Sequence, residues 1–143
     1  MGTAGMERKP LQKSASEKIL PLAVWAHSAK FRVTHELSWE TCIDDEMEVK
    51  LANILSQPGI KEKMANELAR HFIIRVSGPI SAYFGTSQGP AYVYPLRIHD
   101  QKSPTIAGIP LRVGECIQIC RPTFVVTAGV DCLIILTVNA EAV

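Results

Sequence analysis

The sequence predicts a single α+β domain, an antiparallel β-sheet packed with two short helices and preceded by a disordered basic N-terminal tail. Three observations lead there. Segments dense in Val, Ile and Thr, bounded by Gly and Pro, read as strands. Residues 44–70 switch to helical spacing of their apolar side chains. The first 17 residues are small, polar and basic with no apolar period. We therefore divide the chain into a tail, 1–17, and one domain, 18–143. With 143 residues, 47% hydrophobic and 20% charged, it can bury a core without covalent staples.

In chain order, the tail carries Gly2, Gly5, Pro10, Ser14 and Ser16. Met6 stands where a myristoylation signal needs Ser or Thr, so no lipid is expected. Residues 19–26 read as a strand that Pro21 pushes toward an edge or a strand start. Residues 30–37 alternate cleanly, with Phe31, Val33, His35 and Leu37 on one face, which predicts a half-buried antiparallel strand with His35 as a core-rim side chain. Residues 44–55 predict a helix: Met47, Leu51, Ile54 and Leu55 share a face. Asp44, Asp45 and Glu46 sit where the helix dipole favours acids, which accounts for them without a metal or a general base. Gln57-Pro58-Gly59 stops that helix, and 60–70 resumes the pattern with Ile60, Met64 and Leu68.

Strands are expected at 73–76 and 80–84, with a turn at Ser77-Gly78-Pro79 between them. Residues 85–90 form a turn loop that lacks the Lys-Ser/Thr of a phosphate-binding loop. Residues 91–98 alternate, and Pro95 predicts an edge strand. Residues 100–110 read as a long loop carrying Ile106 and Ile109. Apolar side chains there are either tucked under the domain or directed at a partner, and the second alternative makes them candidates for self-association. Residues 111–120 return to strand, with Ile117 and Ile119 inward. Residues 123–127 and 131–138 predict a hairpin turning at Ala128-Gly129. The unbroken run from Cys132 to Leu136 places its second strand near the centre of a sheet, covered on both faces.

Charge is segregated. Residues 1–34 hold six Lys and Arg against two Glu, a local +4, while 35–49 hold six acids and no Lys or Arg, a local −6. Such a basic end and acidic shoulder can meet head to tail between copies, or the basic end can meet anionic lipid or nucleic acid. The four cysteines make no disulfide framework. Cys116 and Cys120, four residues apart in a strand, would lie about 13 Å apart at roughly 3.3 Å per residue, too far for a bridge or a shared metal. No cofactor, metal or catalytic residue is expected. The segment 20–26 is too short, and too broken by Pro21, for a secretory signal, which predicts a cytoplasmic protein.

Arg121-Pro122 leading into Gly129 and the apolar stretch 133–138, with 30–37 upstream, resembles the matrix proteins of rhabdoviruses, as does the order of parts. The Pro-Pro-x-Tyr and Pro-Thr/Ser-Ala-Pro budding motifs are not present, Tyr94-Pro95-Leu96 being a near miss. The resemblance implies a non-enzymatic structural protein, in the virion and host cytoplasm, that self-associates as a homo-oligomer. It further implies binding to the viral ribonucleoprotein and to the inner face of an anionic membrane. The basic tail would supply Arg8, Lys9, Lys13 and Lys18 for those contacts, and the apolar loop Ile106 and Ile109. Two alternatives stay open. A binding module could add a peptide or single-stranded nucleic acid to a sheet edge through Tyr92, Tyr94 and Arg97. A small α+β enzyme would need His35 or His99 beside Cys116 or Asp131 in a pocket.

Overall fold

A computed structural model describes residues 6–35, 39–57, 59–62, 69–77, 82–85, 90–120 and 123–136. The elements run β1 (Met6–Pro10), α1 (Lys13–His27), β2 (Phe31–His35), β3 (Trp39–Cys42), α2 (Met47–Leu55), β4 (Arg70–Val76) and β5 (Ala82–Gly85). They continue with β6 (Ala91–Ile98), β7 (Thr105–Ile106), β8 (Ile109–Pro110), β9 (Glu115–Ile119), β10 (Thr123–Val126) and β11 (Val130–Leu136). A seven-stranded sheet is ordered β1-β9-β6-β11-β4-β3-β2, and a four-stranded sheet β5-β10-β7-β8. All pairings are antiparallel.

The α+β class holds, and the layers follow from side-chain alternation. Along β11, Leu133 and Ile135 join a core with Ile19, Leu22, Leu51 and Ile54 of the two helices. Cys132 and Ile134 point the other way, into a second core with Ile106, Phe124 and Val126 of the smaller sheet. The large sheet is thus sandwiched between helices and a second sheet. β11 lies near its middle with both faces covered, as its unbroken apolar run requires.

Several elements depart from the sequence reading. β10 and β11 do not form a hairpin: β10 pairs with β5 and β7, and β11 with β4 and β6. The intervening Gly129, at φ +112°, carries the chain from one sheet to the other, and its carbonyl accepts the His99 amide at 2.8 Å. A Cβ there would collide with the Lys102 side chain.

Residues 19–26 are helical, because Ala15, Ile19, Leu22, Ala23 and Ala26 form a buried helical stripe that outweighs the hydrogen bond Pro21 removes. The tail is ordered from Met6. Met6–Pro10 pairs with β9 as an edge strand held by its backbone ladder, and 13–17 open α1. β6 is interior despite Pro95, since its register shifts between Asp131, opposite Arg97, and Cys132, opposite Pro95. Leu96 is the extra residue of a bulge, where proline is tolerated.

The long loop contains a tight β7–β8 hairpin turned by Ala107 and Gly108, both at positive φ. That turn rolls Ile106 into the core at 0% exposure and packs Ile109 against it. α2 is as expected, though only its last nine residues are helical. Gly59–Glu62 form turns, and Arg70 already belongs to β4. The remainder of the expected second helix, 63–68, lies outside the described residues, as do 78–81, 86–89, Leu37, Arg121-Pro122 and 137–143, with most of the expected turns at 77–79 and 85–90.

Because Ile106 fills the space between the sheets, Ile106→Ala is expected to cost about 2–5 kcal/mol of folding stability, read by chemical denaturation. A change within experimental error would place this residue outside the core.

Candidate functional site

Three neighbouring strands put Arg75, Asp131 and Arg97 side by side, since Asp131 is the register partner of Arg75 on β4 and of Arg97 on β6. All three face the helices, and the Leu96 bulge keeps Arg97 on that face. Asp131 is fully buried.

Arg75 grips the Asp131 carboxylate with two bonds, Nε to Oδ1 at 2.9 Å and Nη2 to Oδ2 at 3.2 Å. Arg97 Nε reaches Oδ2 at 3.2 Å, and His99 Nε2 lies 3.0 Å from Oδ1. An ionised carboxylate only accepts, so that His99 nitrogen is the donor, and the four lone-pair directions are all used. Arg75 Nη2 also donates to the carbonyl oxygens of Ala26, at 2.8 Å, and His27, at 3.4 Å, in the last turn of α1. The Ala26 carbonyl otherwise accepts only backbone amides at the C-cap, Ala29 N at 3.3 Å among them, and the helix dipole favours a cation there. The other face of the guanidinium covers the Phe31 ring at 4.1 Å, so one cation joins β4, β11, α1 and β2.

Burial alone would push the Asp131 pKa up. Hydrogen bonds from Arg75 and His99, with the charges of Arg75 and Arg97, outweigh that and hold the carboxyl below the usual carboxylate range.

Beside this cluster, α1 and the end of β6 enclose an open groove of about 540 Å³. Its walls are Leu20, Val24, Leu96, Ile98 and Val113, with Arg97 and His27 at hand. Leu20, Val24 and Val113 are 69%, 66% and 49% exposed. Arg97 binds Asp131 through Nε, and its two terminal nitrogens have no partner among the described residues.

The residues singled out from sequence fare differently. Arg8 is ion-paired with Glu115 at 3.2 Å, and Lys9 with Glu7 at 3.2 Å. Lys13 and Lys18 are exposed on α1. Ile106 and Ile109 belong to the core and its margin, so they do not form an exposed apolar loop. Tyr94 is buried beneath the helices, where desolvation pushes its hydroxyl pKa up, and Tyr92 is partly buried in the same core. They form no open stacking platform. His35 ends β2, and its side chain lies outside the described residues.

Of the pairings an enzyme would need, His99 with Asp131 occurs. The imidazole makes no other side-chain hydrogen bond among the described residues. None of the four cysteines forms a disulfide, and burial raises the pKa of Cys42 and Cys132. No group of three or more His, Cys, Asp or Glu suited to a metal occurs among the described residues. Nor is any described helix long and apolar enough to cross a membrane.

Sequence reasoning missed the Arg75 and Arg97 grip on Asp131. The available signal was one acid opening an otherwise apolar central strand, which demands a buried cation. Neither a family model nor a curated protein sequence matches the chain.

A carboxyl with a depressed folded-state pKa stabilises the fold above the unfolded pKa of about 3.9 and loses that contribution as pH falls through the lower, folded value. Asp131→Asn should cost about 3–5 kcal/mol at neutral pH by stranding its partners. Denaturant titrations from pH 7 to pH 2 should also show a shallower acid loss than in wild type. Equal acid sensitivity in both proteins would mean other carboxyls control acid unfolding.

Proposed function

We propose that the protein is a non-enzymatic structural protein of the matrix type, which assembles with copies of itself and lies against an anionic membrane surface. The observation that carries this reading is the groove: three large apolar side chains, about half or more exposed, gathered beside an arginine whose terminal nitrogens have no partner among the described residues. Scattered exposed apolar residues are ordinary, but gathered ones mark contact surfaces. The self-association surface moves accordingly, from Ile106 and Ile109 to Leu20, Val24 and Val113.

Lys13 and Lys18, exposed on the helix that bears Leu20 and Val24, support the membrane contact; each is worth on the order of 1 kcal/mol beside an anionic leaflet. Contact with a viral ribonucleoprotein rests on the sequence resemblance. A small enzyme is the second reading, favoured by the His99–Asp131 contact. Two arginines on the same carboxylate favour an architectural role for that pair instead.

Light scattering over a range of concentrations should show the mass of the wild-type species rising. Val24→Asp should hold it near one chain with little change in melting temperature, since the side chain is exposed. A wild-type protein that stays monomeric throughout removes the assembly reading. Separately, phosphatidylserine vesicles should float the protein at low salt and release it at high salt, with Lys13→Glu/Lys18→Glu weakening flotation. Salt-independent flotation, or none at low salt, removes the membrane reading.

A further inference from the structure

The groove has a counterpart elsewhere on the chain. Ile43 and Val49 are 47% and 73% exposed, and they bracket Asp44, Asp45, Glu46 and Glu48 at the start of α2. Two of those acids are occupied. Asp44 accepts the backbone amides of Lys30 and Glu46, each at 3.0 Å, and Glu48 holds His71 at 2.6 Å. Asp45 and Glu46 are exposed and make no side-chain ion pair among the described residues. The result is an apolar knob with unspent negative charge.

The groove carries the opposite charge. Two guanidinium groups share one buried carboxylate, a local surplus of one positive charge, and Arg97 presents it where Leu20, Val24 and Val113 are exposed. We propose that the groove receives the 43–49 knob of a second copy of this chain, with Val49 and Ile43 against the apolar walls and Asp45 or Glu46 against Arg97. This rests on the self-assembly reading and specifies its geometry.

The two surfaces share no residue. Glu48 anchors α2 over β4, whereas the groove lies at the end of β6, and β11 separates those strands. A contact between unlike surfaces leaves the pair with one free knob and one free groove. It therefore repeats as an open chain, or as a ring where the rotation closes. Apolar burial would hold the joint, and the single charge pair would select its orientation.

Two single-face variants test it, both at exposed positions so that folding is spared. Val24→Asp spoils the groove and keeps the knob; Val49→Asp spoils the knob and keeps the groove. Alone, each should stay at the mass of one chain at concentrations where wild type grows. Mixed one to one, they should give a species of two chains and nothing larger, because one intact knob meets one intact groove and both remaining ends are dead. If Val49→Asp assembles as wild type does, or the mixture yields no two-chain species, the knob is not the occupant, although assembly itself stands. If wild type never exceeds one chain, the assembly reading and this inference fail together.

Discussion

A carboxylate with no exposure to water, at the head of the central strand, is the constraint on which the junction of β4, β6, β11, α1 and β2 depends. An unpaired buried charge would cost far more than a domain of this size can spare. Asp131 is therefore affordable only where its partners are fixed, and the neighbouring strands supply them in register. The requirement then propagates. Arg75, held by Asp131, meets the open end of α1 and the ring of Phe31, so helix, central strand and edge strand are tied at one guanidinium. Removing the acid would release several elements together.

The rest of the core is apolar and two-sided. β11 supplies both cores by alternation, which explains why so small a chain builds three layers around one strand. The helices bury only one stripe each, and α1 leaves Leu20 and Val24 turned away from it. Those residues lie on the flank nearest the end of β6, where the charged cluster reaches the surface. Fold and candidate surface thus share one residue: Arg97 completes the burial of Asp131 and also projects charge into the groove.

Legibility in the sequence followed the range of the interactions involved. The central position of β11 was readable because an unbroken apolar run states its own burial. So was α2, where Leu51 and Ile54 mark a single face. α1 is hidden because Pro21 argues locally against a helix, whereas Ala15, Ile19, Leu22, Ala23 and Ala26 decide the matter over three turns. The supposed hairpin failed for a different reason. A glycine between two strands fits a tight turn and a crossing between sheets equally well, and only packing of the partners separates them. Ile106 was hidden by the turn at Ala107 and Gly108, since alanine at positive φ has no strong sequence signature. The charged cluster joins positions 75, 97, 99 and 131, which nothing local connects.

The pairing of two arginines with one acid also bears on why the cluster is charged at all. Replacing a buried ion pair by apolar side chains of equal volume is often neutral or stabilising, so stability alone does not explain it. A balanced pair, Arg75 with Asp131, would already neutralise the acid's charge and close the end of α1. Arg97 adds one bond, is partly exposed, and lines the groove. Its terminal nitrogens, which have no partner among the described residues, are the part that the burial of Asp131 does not account for. A cation fixed by a buried anion, beside exposed apolar side chains, is a preorganised donor: its orientation is set before any partner arrives. A partner's carboxylate would then face an arginine that has already given up much of its freedom, which is how such a contact gains selectivity without a large area.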